Sequence, residues 1–266
     1  MELTQVTYEV VDRVARVTLN RPRYKNAQSR RLREEMDLAF DAAVEDTDVR
    51  VIVLRGEGDS FSAGHDIGTP EEVADREQRP YEEGVRGEYE RTWSLNVDNS
   101  LRWRDLPKPT IAAVQGYCIF GGWIIASSMD LIFAADDAKF LPSMFQYFSV
   151  PWDLGARKTK EILFESRFVS AQEAMETGLV SRVVPAADLD DEVMAYASRV
   201  AENDAFQLRM IKLAVNQAQD AQGFRTAVQG AHSLYTLRAI DGGTARTEGK
   251  RRLIGVEKAF EREPQD

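Results

Sequence analysis

The chain has 266 residues, 43% of them hydrophobic and 29% charged, a composition that fits one large folded domain and excludes a disordered chain. Its net charge of −10 sets up a field that repels nucleic acid and anionic membrane surfaces, while leaving room for a local cationic patch that holds a small phosphorylated ligand. A lone cysteine, Cys118, excludes an internal disulfide and argues against a thiolate zinc site. With no basic and apolar leader pattern at the start, a cytoplasmic setting is expected.

Alternating apolar residues predict strands over Val6–Val11 and Val14–Leu19, turned at Asp12-Arg13 and ended by Arg21-Pro22. Leu32, Met36, Ala39, Phe40, Ala43 and Val44 share one face of a helix predicted over Ser29–Val44. Val49–Leu54 reads as a short strand covered on both faces, followed by a loop over Gly56–Ser62. The acidic stretch Pro70–Gly87 is expected as a mobile surface excursion before a helix over Glu88–Arg104. Thr110–Val114 is a further buried strand, Gly121-Gly122 opens a helix towards Met129, and Leu131–Ala134 is another strand. The uncharged run from Pro109 to Met129 imitates a membrane span, but Gln115, three glycines and two serines mark a strand, a turn and a buried helix instead.

This alternation of strands and helices predicts a layered α/β fold with crossover helices. Further on, Ser170-Ala171-Gln172-Glu173 is a capping box and Gly178 a helix stop, followed by a strand over Val180–Val184. Helices are predicted over Asp188–Glu202 and Phe206–Gln219, with two more reaching about Glu261. The expected organisation is an α/β core over residues 1–190 and a helical region over 191–266.

Common catalytic patterns are missing. Gly56-Glu57-Gly58-Asp59-Ser60-Phe61 begins like a dinucleotide fingerprint but ends on Phe61 with no helix behind it. No G-x-S-x-G elbow occurs, and the two histidines, His65 and His232, lie far apart in the chain. Two glycine-containing segments remain, Phe61-Ser62-Ala63-Gly64-His65-Asp66-Ile67 and Gly116-Tyr117-Cys118-Ile119-Phe120-Gly121-Gly122, each behind a predicted buried strand. Backbone amides at such turns can converge on an oxyanion, or the glycines can simply permit tight turns; spacing leaves both readings open.

With Leu19-Asn20-Arg21-Pro22, Asn26-Ala27, Lys108-Pro109-Thr110-Ile111-Ala112-Ala113-Val114-Gln115-Gly116-Tyr117 and Ser170-Ala171-Gln172-Glu173-Ala174, these segments resemble the enoyl-CoA hydratase/isomerase (crotonase) superfamily from about Val6 to Pro185. The resemblance implies a crotonase-like spiral of β-β-α units with a helical C-terminal region, assembled as a homotrimer or a hexamer. It implies an acyl-CoA ligand, with coenzyme A arriving as part of the substrate and no separate cofactor. The backbone amides of His65 and Gly121 would hold the thioester oxygen. Ala63 would meet the adenine and pantetheine portion, and Arg23 and Lys25 the CoA nucleotide.

The family's two hydratase glutamates align with Ile124 and Met144, neither of which transfers a proton. Asp153, flanked by Trp152 and Leu154, is the candidate acid/base, with an N-cap for a helix starting near Gly155 as its structural alternative. The His65 imidazole is a second candidate, since the family places a small apolar residue there. Gln146, Tyr147 and Ser143 are expected to supply polar contacts, and Met144, Phe145, Phe148, Trp123 and Trp152 an aromatic acyl pocket or part of the core. Asp66, Asp130 and His232 are expected to be structural. The resulting expectation is an acyl-CoA enzyme of this family that stabilises an enolate or related oxyanion. Its rivals are an isomerase or hydrolase of the same fold and a non-catalytic acyl-CoA binder.

Overall fold

A computed structural model describes residues 2–240, 246–247, 250–251 and 254–263. Strands β1 (Val6–Val11) and β2 (Val14–Leu19) form an antiparallel hairpin. Asp12 and Arg13 both take positive φ, 47° and 68°, the requirement of a tight two-residue turn that follows strand twist. Helix α1 (Arg30–Glu45) starts where Ser29 Oγ accepts the Leu32 amide. Its buried Glu35 accepts the amides of Thr4, Gln5 and Val6 at 2.7–3.1 Å and so fastens the N-terminal strand to the helix.

Strand β3 (Val51–Gly56) leads through the 57–69 loop to α2 (Pro70–Gln78) and α3 (Gly84–Thr92). A π-helical turn over Trp93–Asp98 joins α3 to α4 (Asn99–Arg104). Then come β4 (Thr110–Val114), β5 (Tyr117–Ile119) and α5 (Gly121–Ser127), followed by β6 (Leu131–Ala135), β7 (Lys139–Leu141), α6 (Val150–Leu154) and α7 (Ala156–Glu165). Strand β8 (Val169–Ser170), α8 (Ala171–Glu176) and β9 (Arg182–Val184) complete the sheets. Helices α9 (Leu189–Ala201), α10 (Ala205–Ala221), α11 (Phe224–Ile240) and α12 (Ile254–Glu261) follow.

The larger sheet runs β1-β2-β3-β4-β6-β9, parallel from β2 onward, and the smaller runs β5-β7-β8. Successive turns of chain give one strand to the large sheet, the next to the small one, and then a helix: β4-β5-α5, then β6-β7-α6. Single bridges from Ser62 to Cys118 and from Gln28 to His65 carry the same pattern back through the 57–69 loop. This is the expected spiral of β-β-α units.

Period-two alternation sorts the core. Ile52, Leu54, Ala112 and Val114 face α1, α5 and the small sheet, while Val51, Val53, Ile111 and Ala113 face the other way. That second face is covered by Leu189, Val193, Ala197 and Ala201 of α9. The boundary expected at residue 190 thus falls inside a helix that packs on the sheet. Among the described residues no helix is long and apolar enough to cross a membrane.

Two expectations change. The acidic stretch is helical over Pro70–Gln78, because Thr69 caps it, Pro70 sits at its first position, and Glu71 and Glu72 lie in its first turn. Asp153 caps nothing: it lies inside α6, and Gly155, at φ 76°, separates α6 from α7.

Candidate active site

The motif around Arg21 and Asn26 ties the end of β2 to the loop that leaves β3. Buried Asn26 accepts the Arg21 amide at 2.9 Å and donates to the carbonyls of Glu57 and Ser60 at 2.9 and 2.8 Å. Arg21 pairs with Asp66 at 2.8 Å and donates to Thr69 Oγ1 at 2.9 Å. Burial works to raise the Asp66 pKa, but hydrogen bonds from Thr69, Gly68 and Arg21 outweigh it and hold the carboxyl below its usual range. Asp66 is therefore a brace for its loop.

Within that frame, the 61–67 loop meets the start of α5 closely. A Cβ on Gly64, at φ 94°, would lie 2.7 Å from Ile119 O and 3.3 Å from Gly121 N. One on Gly121 would lie 2.9 Å from Gln28 Oε1 and 3.0 Å from His65 Nδ1. Glycine at 64 is what lets the two backbones touch, while glycine at 121 leaves space for the Gln28 and His65 side chains. Phe120, just before Gly121, holds φ 43° and ψ −94°, a strained conformation for a residue with a side chain. Its amide is tied to Leu141 O at 2.9 Å, which fixes how α5 begins.

The His65 ring sits in a polar array. Buried Arg33 approaches its Nδ1 at 3.3 Å, and Gln146 Oε1 lies 2.9 Å from its Nε2. A guanidinium has no acceptor, so Nδ1 accepts and the ring proton resides on Nε2, donated to Gln146. Arg33 also donates to Gln28 Oε1 at 2.9 Å, to Asn96 Oδ1 at 3.1 Å and to Leu95 O. Gln28 in turn donates to Ser62 Oγ at 3.2 Å. A cavity of about 60 Å³ opens beside this array, lined by His65, Arg33 and Gln146 and walled by α2, α3 and Tyr235 of α11.

The remaining predicted residues are placed as follows. Ala63 donates its amide to Lys25 O at 2.8 Å, so these two are neighbours; Arg23 and Lys25 are exposed, and Lys25 meets Asp59 at 3.2 Å. Ile124 is fully buried in a cluster with Val97, Leu101, Tyr147, Phe224 and Val228. Met144 lines a second, apolar cavity of about 20 Å³ with Phe120, Leu141 and Ile162. Asp153 lines neither cavity; its Oδ2 accepts from Ser149 Oγ at 2.6 Å and Trp123 Nε1 at 3.1 Å. Burial pushes its pKa from 3.8 up to about 6, with those two hydrogen bonds pulling the other way.

Of the residues expected in an aromatic pocket or the core, Trp123 belongs to the core between the sheets, Phe148 packs against it and Trp152 packs against the Ile124 cluster, which also takes in Tyr147, expected as a polar contact. Asp130 binds the Thr110 amide at 2.7 Å and Lys212 at 2.8 Å, joining β4 to α10. His232 is buried among Tyr89, Trp93 and Tyr235, and burial lowers its pKa. Among the described residues, no group of three His, Cys, Asp or Glu side chains gathers as a metal site requires.

Sequence reading missed Arg33 and Gln28. The signal was present: Arg33 stands three and seven residues before Met36 and Phe40, on the stripe that α1 buries.

A spiral of β-β-α units in which two glycine turns meet defines the class of fold, and comparison names the family. The family model described as enoyl-CoA hydratase/isomerase matches residues 9–241. A curated relative, "Putative enoyl-CoA hydratase EchA13" of Mycobacterium tuberculosis, is 35% identical over 98% of this chain and 88% of its own length. A crystal structure described as a probable enoyl-CoA hydratase from Mycobacterium smegmatis superposes with TM-score 0.84 at 39% identity, covering 91% of this chain and 97% of the other. A similar structure from Mycobacterium thermoresistibile gives TM-score 0.82 at 41% identity, with 90% and 98% covered. The chain belongs to the enoyl-CoA hydratase/isomerase family.

Proposed function

We propose that the protein binds an acyl-CoA thioester where the 61–67 loop meets α5, and that the amides of His65 and Gly121 hold the thioester oxygen as it gains charge. The observation that carries this reading is the backbone contact of the two loops at Gly64 and Gly122, where a Cβ would lie 2.7 Å from Ile119 O and 2.6 Å from Ser62 O, with Gly121 between them packed against the Gln28 and His65 side chains. The exposed Arg23 and Lys25, with Lys25 joined to Ala63 through its carbonyl, suit the CoA portion. The reading needs no cofactor beyond the CoA of the substrate.

Ile124 and Met144 offer no proton-transferring group, so two-carboxylate hydration is not available at those positions. Asp153, beside Trp123 and with a pKa near 6, is the candidate acid/base. One carboxylate that takes a proton and returns it suits a double-bond shift better than addition of water. Exposed Phe206, Ile211, Leu213 and Val215 on α10 suit contact with further copies, as a homotrimer or hexamer.

The test is incubation with trans-3- and trans-2-enoyl-CoAs, followed by absorbance of the conjugated thioester and by calorimetric binding. The expected result is conversion of the 3-enoyl to the 2-enoyl ester, lost in Asp153→Asn with binding retained. Robust hydration in Asp153→Asn would overturn the assignment. A second reading, binding without turnover, is favoured by the position of Asp153 outside both cavities and would show as calorimetric binding with no product from any ester.

A further inference from the structure

The cavity beside His65 is unlike the pocket an aliphatic acyl chain needs. Four arginines line it, Arg30, Arg33, Arg76 and Arg91, against two carboxylates, Asp66 and Glu72. Both carboxylates are already committed: Asp66 to Arg21 at 2.8 Å and Glu72 to Arg76 at 2.7 Å. Arg30 meets Asp75 at 3.3 Å and Arg91 meets Glu88, neither of which lines the cavity.

Arg33 is the telling residue. It is 3% exposed, and among the described residues it forms no ion pair; its terminal nitrogens are held by Gln28, Asn96, Leu95 and His65, all neutral acceptors. A buried guanidinium carries a large desolvation cost unless an anion answers it. Asp37 and Glu72 act on it only from a distance, and among the described residues no carboxylate comes within ion-pair range of Arg33. A second observation points the same way. Arg30 Nη2 is buried with no hydrogen-bond partner among the described residues, while the guanidinium stacks 3.8 Å from the centre of the Tyr81 ring. Arg91 also lies over this ring, 5.1 Å from the same centre.

We propose that this cavity receives an anionic acyl terminus: the substrate is a short-chain acyl-CoA ending in a carboxylate. The inference rests on the reading of His65 and Gly121 as the thioester site, since His65 belongs to both. Because His65 itself lines the arginine-rich cavity, a thioester held at the His65 amide would have that space within reach of its acyl group. Its size sets the length: about 60 Å³ takes roughly four to six water-sized groups, a few methylenes and a carboxylate. A long apolar tail there would displace water from the four guanidinium groups and gain little apolar contact in return.

The test compares glutaryl-CoA with valeryl-CoA, which differ in the carboxylate alone at the same chain length, and with free CoA, by calorimetry on the full chain. Glutaryl-CoA is expected to bind at least tenfold more tightly than valeryl-CoA, with a steeper salt dependence. In Arg91→Gln, a half-buried position whose loss spares the Arg33 network, the preference is expected to shrink to threefold or less while valeryl-CoA binding holds. Equal affinity for the two esters would overturn the inference and leave the thioester reading standing. Equal weakening of both esters and of CoA in Arg91→Gln would overturn it too, by assigning the arginines to the CoA phosphates. If neither ester binds better than free CoA, the thioester reading itself fails.

Discussion

Replacing Asp153 by Asn asks whether this carboxylate is held in a dry place. Burial raises its pKa from 3.8 to about 6. Between those values the folded chain keeps a proton that the unfolded chain has released, so stability falls as pH rises through that window. Above it the ionised group costs the fold a constant amount. At about 1.4 kcal/mol per pH unit, the gap corresponds to about 3 kcal/mol. Ser149 Oγ and Trp123 Nε1 both donate to the same oxygen, Oδ2. An asparagine with its amide oxygen in that place keeps both bonds and loses the charge.

Its NH2 group needs an acceptor of its own, which takes back about 1–2 kcal/mol if none is found. Asp153→Asn is therefore expected to be more stable than the parent by about 1–3 kcal/mol at about pH 8, with that advantage gone by about pH 3.5. Urea denaturation at the two pH values measures the difference. An effect of equal size at both, or a loss of stability that grows with pH, would refute the argument from desolvation. Turnover is expected to move the opposite way, since a charge that the fold tolerates at a cost is one that chemistry uses.

Gly121→Ala places a Cβ within 3.0 Å of His65 Nδ1 and Gln28 Oε1; shifting the loop by a fraction of an ångström is expected to lower kcat/KM by about 10²-fold, read by steady-state kinetics with circular dichroism confirming the fold. Asn26→Ala leaves the Arg21 amide and the Glu57 and Ser60 carbonyls without their partner, and is expected to cost about 3 kcal/mol in urea denaturation; a cost under about 1 kcal/mol would show that water replaces the side chain. In 15N-edited NMR, His65 is expected to show a protonated Nε2 and a bare Nδ1, because Arg33 donates to the latter; the reverse tautomer would contradict the Arg33–His65 bond.

Local chemistry determined much of this protein in advance. Alternating apolar residues marked the hairpin, short apolar runs marked β3 and β4, and two positive-φ residues at Asp12-Arg13 match the predicted turn. Ser29 and Ser170 cap helices where their spacing places them. The glycine segments were legible because a backbone that must approach another backbone has few alternatives to glycine. These features depend on neighbours in sequence, so the sequence displays them.

The tertiary structure decided the rest. For Asp153 the sequence left two readings, a desolvated acid/base and an N-cap; its place inside α6 removes the cap, and packing against Trp123 and Ser149 goes with a pKa raised by burial. The residues Met144, Phe145, Phe148, Trp123 and Trp152 read equally as an acyl pocket or as core; Trp123 is in the core, Phe148 and Trp152 pack against it partly buried, and the space beside His65 is lined by arginines. Arg33 belongs to α1, Gln28 precedes it, and His65 and Gln146 lie far along the chain. Their meeting is a property of the spiral, which brings one segment of each turn to the same edge. Pairwise proximity of that kind leaves no periodic trace in the sequence, because it is set by how layers stack.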